Sequence, residues 1–71
     1  MDKYIINENV QPTGEHEVHK EFYCPTLPDP KNRVLVGYFN SCRDAIAEAK
    51  KKWPDIEIDG CANCIPVCHT R

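Results

Sequence analysis

Arg33-Val34-Leu35-Val36-Gly37-Tyr38-Phe39-Asn40-Ser41-Cys42-Arg43-Asp44-Ala45-Ile46-Ala47-Glu48-Ala49-Lys50-Lys51-Lys52-Trp53-Pro54 changes its hydrophobic period halfway along. Its first part, Arg33 to Asn40, is dominated by β-branched, apolar and aromatic residues and predicts a strand; Gly37 marks a bulge or a close backbone approach. From Ser41 onward Cys42, Ala45, Ile46, Ala49 and Trp53 recur at the spacing of one helical face, with Arg43, Glu48, Lys50 and Lys51 mostly pointing away. Ser41 is a good N-cap and Asp44 supplies an acid three residues later. Pro54 pushes residue 53 out of the α region and ends the helix. A strand feeding a helix over about 41–53 is therefore the centre of the chain, and the remainder must supply the sheet that the helix covers.

Towards the N-terminus, Tyr4-Ile5-Ile6 reads as a strand stopped by Asn7-Glu8-Asn9, and Gln11-Pro12-Thr13-Gly14 as a turn. Glu15 to Tyr23 predicts a second strand, with Val18 and Phe22 on one face and His19 and Tyr23 on the other. Cys24 to Asn32 holds three prolines, which removes ladder donors and forbids a helix, so it is a rigid loop. Beyond the helix, Ile56 and Ile58 alternate with Asp55, Glu57 and Asp59, giving a short last strand whose acids form a solvated side. The expected architecture is one α+β domain over residues 1–71: a small antiparallel sheet of three to four strands, one helix packed on it, and a C-terminal cysteine-rich loop.

A chain of 71 residues buries only about 60% of its unfolded surface, so the margin over conformational entropy is thin and a staple is expected. The apolar fraction of 41% and charged fraction of 28% fit a folded soluble protein, while six prolines point to much loop. Net charge is −2, without the basic surplus that drives non-specific nucleic-acid binding. The one basic run, Lys50-Lys51-Lys52, falls at the helix C-terminus, where cations complement the helix dipole. The first residues do not resemble a secretory signal and no stretch approaches the roughly 20 apolar residues of a membrane span. The expectation is a cytoplasmic monomer with no membrane attachment, nucleic acid disfavoured as a ligand, and room for a protein partner.

The ending, Asp59-Gly60-Cys61-Ala62-Asn63-Cys64-Ile65-Pro66-Val67-Cys68-His69, holds three of the five cysteines. Cys61-x-x-Cys64 lets two thiolates meet one ion from a tight turn, with Gly60 allowing the backbone to fold behind them. A structural zinc site needs about two more ligands. Cys24 and Cys68 are the candidates, giving the set Cys24, Cys61, Cys64 and Cys68, with His69 or His19 as substitutes. Disulfides or plain thiols are the alternative for the same residues, and five cysteines cannot all pair within one chain. Zinc would be the stronger fastening, at about 10–16 kcal/mol of apparent binding against about 2–4 kcal/mol for a bridge. Cys42, on the apolar helical face, reads as a core residue, or as a thiol activated by the helix N-terminus.

Other chemistry finds little support. His16-Glu17-Val18-His19 lacks the second histidine four residues on that a helical metalloprotease motif needs. No phosphate loop, nucleophile elbow or tight carboxylate pair is present. The CxxC follows the only clear helix instead of opening one, against a thioredoxin-like role.

Ile5-Ile6-Asn7, Gly14, His16-Glu17-Val18-His19, Cys24, Leu27-Pro28, Val36-Gly37-x-Phe39, Cys42, Ala45 and the ending Asp59-Gly60-Cys61-x-x-Cys64-x-Pro66-x-Cys68-His69-Thr70 together resemble a family of short bacterial proteins of unknown function. Members of that family often carry a further cysteine where this chain has Ile65. A looser resemblance, through His19, Cys24, Phe39, Ala45 and Cys61-x-x-Cys64, runs to the metal-binding domain of Ada-type DNA repair proteins. That resemblance implies a four-cysteine zinc site and methyl transfer from DNA phosphate; the acidic charge and the trailing Cys68-His69 depart from it. Three functions are thus expected in descending order: a small non-enzymatic binding module stapled by its cysteines and zinc, a thiol-active protein, and an Ada-like nucleic-acid binder.

Overall fold

Helix α1 (Cys42–Lys52) begins and ends where its caps require. The Ser41 hydroxyl accepts from the Asp44 N–H at 3.3 Å, and the Trp53 N–H closes the last turn on the Ala49 carbonyl at 2.9 Å. The protein, seen here in a computed structural model, is described over residues 1–70. Around α1 lie four strands, β1 (Asp2–Asn7), β2 (Glu15–Lys20), β3 (Arg33–Phe39) and β4 (Glu57–Gly60), with 3₁₀ turns at Pro30–Asn32 and Pro66–Cys68. Among the described residues no helix is long and apolar enough to cross a membrane.

The strands form one sheet in the order β3-β1-β2-β4. β1 pairs antiparallel with both β2 and β3, but β4 joins β2 in parallel, so the sheet is mixed and not wholly antiparallel as expected. The reason is the connection. β3 leads into α1, which crosses the sheet and returns the chain to the far edge running in its original direction, and a strand-helix-strand crossover leaves its two strands parallel. The fold class is nonetheless the α+β one, with a single helix over a small sheet.

One face of the sheet meets α1. Tyr4 and Ile6 of β1, Val18 of β2, Val36 of β3 and Ile58 of β4 pack with Cys42, Ala45 and Ala49. The two alanines carry no bulk beyond Cβ, so the helix can lie close on the strands. The register of β1 with β3 steps from Tyr4 opposite Gly37 to Ile5 opposite Leu35, leaving Val36 as the extra residue of a bulge. Gly37 has φ +150°, and a Cβ there would stand 2.9 Å from the Phe39 ring. Both the bulge and the close approach that this glycine suggested are present.

Strand β2 stops at Lys20, three residues short of expectation. The Glu21 N–H makes a ladder bond to the Lys3 carbonyl (2.9 Å), and the chain then turns, with the Tyr23 N–H on the Lys20 carbonyl (3.1 Å). Phe22 and Tyr23 are in consequence 74% and 68% exposed. Asp59 also departs from the expected solvated side: it is 2% exposed. Its Oδ1 accepts from the N–H groups of Gly60 and Thr70 (both 2.9 Å) and from the Thr70 hydroxyl (3.0 Å). A carboxylate saturated with donors can be buried, and here it fastens the C-terminal segment against β4.

Candidate metal centre

The parallel pairing of β2 with β4 builds the site. Val18 stands opposite Gly60, and the next N–H, that of Cys61, donates to the Val18 carbonyl at 2.9 Å. Two chain segments therefore leave the same end of the sheet together, one carrying His19 and then Cys24, the other Cys61 and Cys64. Had β4 been antiparallel, the CxxC would have emerged at the opposite end. The Ile65 N–H closes back on the Cys61 carbonyl (3.0 Å), curling the CxxC so that both sulfurs turn inward.

His19, Cys24, Cys61 and Cys64 each present one ligand atom, and the four atoms lie within 4.8 Å of one another. His19 Nδ1 is 3.4 Å from Cys24 Sγ, which is 3.6 Å from Cys61 Sγ. An ion bound tetrahedrally by nitrogen and sulfur at about 2.0–2.3 Å sets its ligand atoms about 3.5–3.8 Å apart. The closest pairs already have that spacing, and binding would draw in the widest. These residues could hold a metal ion. Of the sequence candidates, the structure brings together Cys24, Cys61 and Cys64, with His19, one of the two substitutes, as the fourth member.

Cys68, expected beside them, is instead bonded to Cys42, across a Cα separation of 6.4 Å. His69, the other substitute, donates from Nδ1 to the Gly60 carbonyl (2.9 Å), and the same nitrogen lies 3.4 Å from Asp59 Oδ2. Cys42 is thus a core residue, as read, and also half of a bridge, which excludes the activated free thiol while the bridge stands. Two of the five cysteines are thus paired, and the other three are free thiols gathered with His19. Nothing in the spacing pairs Cys42 with Cys68, since they meet only once α1 lies on the sheet.

The surroundings fit an ion. His19 is 2% exposed, and burial, reinforced by the Arg33 charge, lowers its pKa to about 4, so the ring is neutral and can ligate at physiological pH. Its Nε2 is buried without a hydrogen-bond partner; the nearest carboxylate oxygen, Glu17 Oε1, is 4.0 Å away. With Nδ1 directed at the sulfurs, Nε2 carries the proton of the neutral ring, and Glu17 at 4.0 Å is too far to accept it. Burial pushes both the Cys64 and Cys24 thiols up. For Cys64 this is reinforced by the hydrogen bond to Cys24, and the result is a raised pKa despite the Lys20 N–H donating to its sulfur (3.4 Å). For Cys24 the hydrogen bonds from Cys64, Thr26 and Cys61 outweigh burial, and its pKa is lowered. Of the two thiols, Cys24 therefore gives up its proton more readily than Cys64. The Thr26 hydroxyl lies 3.6 Å from both Cys24 and Cys61 sulfurs and is itself held by the Asn63 amide (3.0 Å).

Neither a family model, nor a curated protein, nor a solved structure matches this chain.

Proposed function

We propose that the chain is a small non-enzymatic binding module in which one zinc ion, held by His19, Cys24, Cys61 and Cys64, ties the loop after β2 to the C-terminal segment. The observation that carries this reading is the convergence of three sulfurs and one neutral imidazole nitrogen within 4.8 Å. Soft thiolates with one imidazole in a compact group suit zinc, and four protein ligands leave no open position for a substrate, which favours a structural role over catalysis. In this reading the exposed Phe22 and Tyr23, immediately before Cys24, belong to the surface offered to a protein partner. The proposal includes membership of the bacterial family that the chain resembles, and a cytoplasmic location, where thiols such as these stay reduced. A bridge like Cys42–Cys68 is unusual in that compartment.

Two mass spectra test the metal site and the bridge: a native spectrum of protein purified without chelator or alkylant, and a denatured spectrum of a parallel sample from cells quenched in acid and alkylant. The expected results are one bound zinc in the first, and in the second three alkylated thiols on a polypeptide lighter by the two hydrogens of one bridge. A metal-free protein with Cys24, Cys61 or Cys64 in disulfides overturns it.

A second reading, a thiol-active protein, draws on Cys24, whose half-buried thiol carries a lowered pKa. It requires one cysteine to alkylate much faster than the others with the fold intact after its removal, whereas the zinc reading requires Cys24, Cys61 and Cys64 to be protected together and exposed together by chelator.

A further inference from the structure

The start of α1 and the C-terminal segment enclose a dish of about 460 Å³, which touches the metal group only at Cys64. Its floor includes Tyr4, which is 1% exposed and whose hydroxyl makes no hydrogen bond to any described residue. A buried phenol without a partner is uncommon, because the hydroxyl forfeits its hydrogen bond to water on burial. That hydroxyl is not sealed from solvent, the only fully buried unpartnered side-chain atom being His19 Nε2. The dish has Tyr4 among its lining residues, which gives the hydroxyl a place to meet solvent or a ligand.

Around the dish the unpaired groups are donors. Arg43 lines it and forms no ion pair or hydrogen bond with a described residue. Cys42 and Arg43 are the first two residues of α1, an eleven-residue helix, and their N–H groups have no acceptor within it. Ser41 serves the Asp44 N–H instead. Lys20 adds a cation that is only loosely held, 3.7 Å from Asp2. No carboxylate lines the dish; its remaining wall is Asn40, Cys64 and the apolar run Ile65-Pro66-Val67.

We propose that the dish binds a small organic oxyanion, a phosphate monoester or a carboxylate. Its charged end takes hydrogen bonds from the Arg43 guanidinium, the first amides of α1 and the Tyr4 hydroxyl, and its carbon part lies on Ile65-Pro66-Val67. The helix N-terminus supplies a favourable dipole and directed N–H groups. The Arg43 fork suits a planar pair of oxygens, and Tyr4 fixes the depth at which the anion sits. Burial, the largest influence, together with Asp2 and Cys64, raises the Tyr4 pKa, so the hydroxyl remains a donor at neutral pH.

The test is an amide NMR titration of the whole chain, as purified, at ionic strength held constant with chloride. The probes are inorganic phosphate, phenyl phosphate and benzoate. Saturating shifts are expected at the Cys42 and Arg43 amides, with at least one aromatic anion binding about tenfold tighter than inorganic phosphate; which of the two it is identifies the headgroup. Arg43→Ala should weaken that binding about tenfold or more and Tyr4→Phe about threefold to tenfold, the range for a lost hydrogen bond to a charged group. Arg43 is exposed and Tyr4→Phe conserves the ring, so both variants should keep the wild-type spectrum elsewhere. The absence of saturating shifts, equal affinity for inorganic phosphate and the aromatic anions, or undiminished affinity in either variant overturns the proposal.

Discussion

At the scale of single residues, His19 carries the sharpest consequence. In metal-free protein its pKa is lowered to about 4, from a usual 6.5, by burial first and the Arg33 charge second. Between those values the unfolded chain binds the proton and the folded one resists it, so unfolding takes up a proton and stability falls as pH falls. The contribution is whole above about pH 6.5 and is lost progressively towards pH 4. Urea unfolding in chelator at pH 7, 5.5 and 4.5 should show this loss, and His19→Gln should flatten the dependence across that window. The role of His19 was half legible in the sequence. A histidine on a strand, out of register with His16, already implied that the two face opposite sides. What the residues did not disclose is that β4 would run alongside and deliver Cys61 to the same end, because parallel pairing across a helical crossover is a long-range event without a local mark. Asp59 escaped for a similar reason: alternation with isoleucines is how a solvated acid looks, and only the return of Thr70 supplies the donors that allow its burial.

At the scale of elements, the helix and β3 were the most legible, since capping residue, apolar face, bulge glycine and stop signal all lie within one continuous stretch. β2 was read too long because Phe22 and Tyr23 have strand-like side chains, and side chains do not reveal where a partner strand runs out. The end of β4 makes a separate demand. A Cβ on Gly60 would stand 2.8 Å from the Cys68 carbonyl oxygen and 2.9 Å from its carbon. Backbone cannot swing aside as a flexible side chain can, so Gly60→Ala must displace the Pro66–Cys68 turn from β4. The expected loss is about 1–3 kcal/mol, typical of overpacking in a tight contact. Denaturant unfolding of the oxidised protein should record it as a lower midpoint with little change in slope.

At the scale of the whole molecule, a disulfide and a group able to hold a metal ion supplement a core of modest size, and the two should be separable. Replacing both bridge cysteines, Cys42→Ala with Cys68→Ala, should cost about 2–4 kcal/mol, the usual worth of a bridge, while leaving the metal group of His19, Cys24, Cys61 and Cys64 able to load. Parallel measurements of denaturant midpoint and bound metal check both halves; loss of metal together with the bridge would show that the two are one unit. Their order along the chain matters as well. Cys42 lies between Cys24 and Cys61, and Cys68 lies beyond Cys64, so the two closures overlap like links in a chain instead of nesting. A cut after Lys31, in the exposed 3₁₀ turn Pro30–Asn32, would leave both bridge cysteines on one fragment, with a bound ion and the non-covalent contacts of sheet and core joining the halves. A cut after Lys52 would leave every closure spanning the break. The molecule nicked at the first place would thus be held by an ion and non-covalent contacts alone, and that nicked at the second would stay one covalent piece, making the position of a break, and not only its presence, decide how far a chelator can loosen the fold.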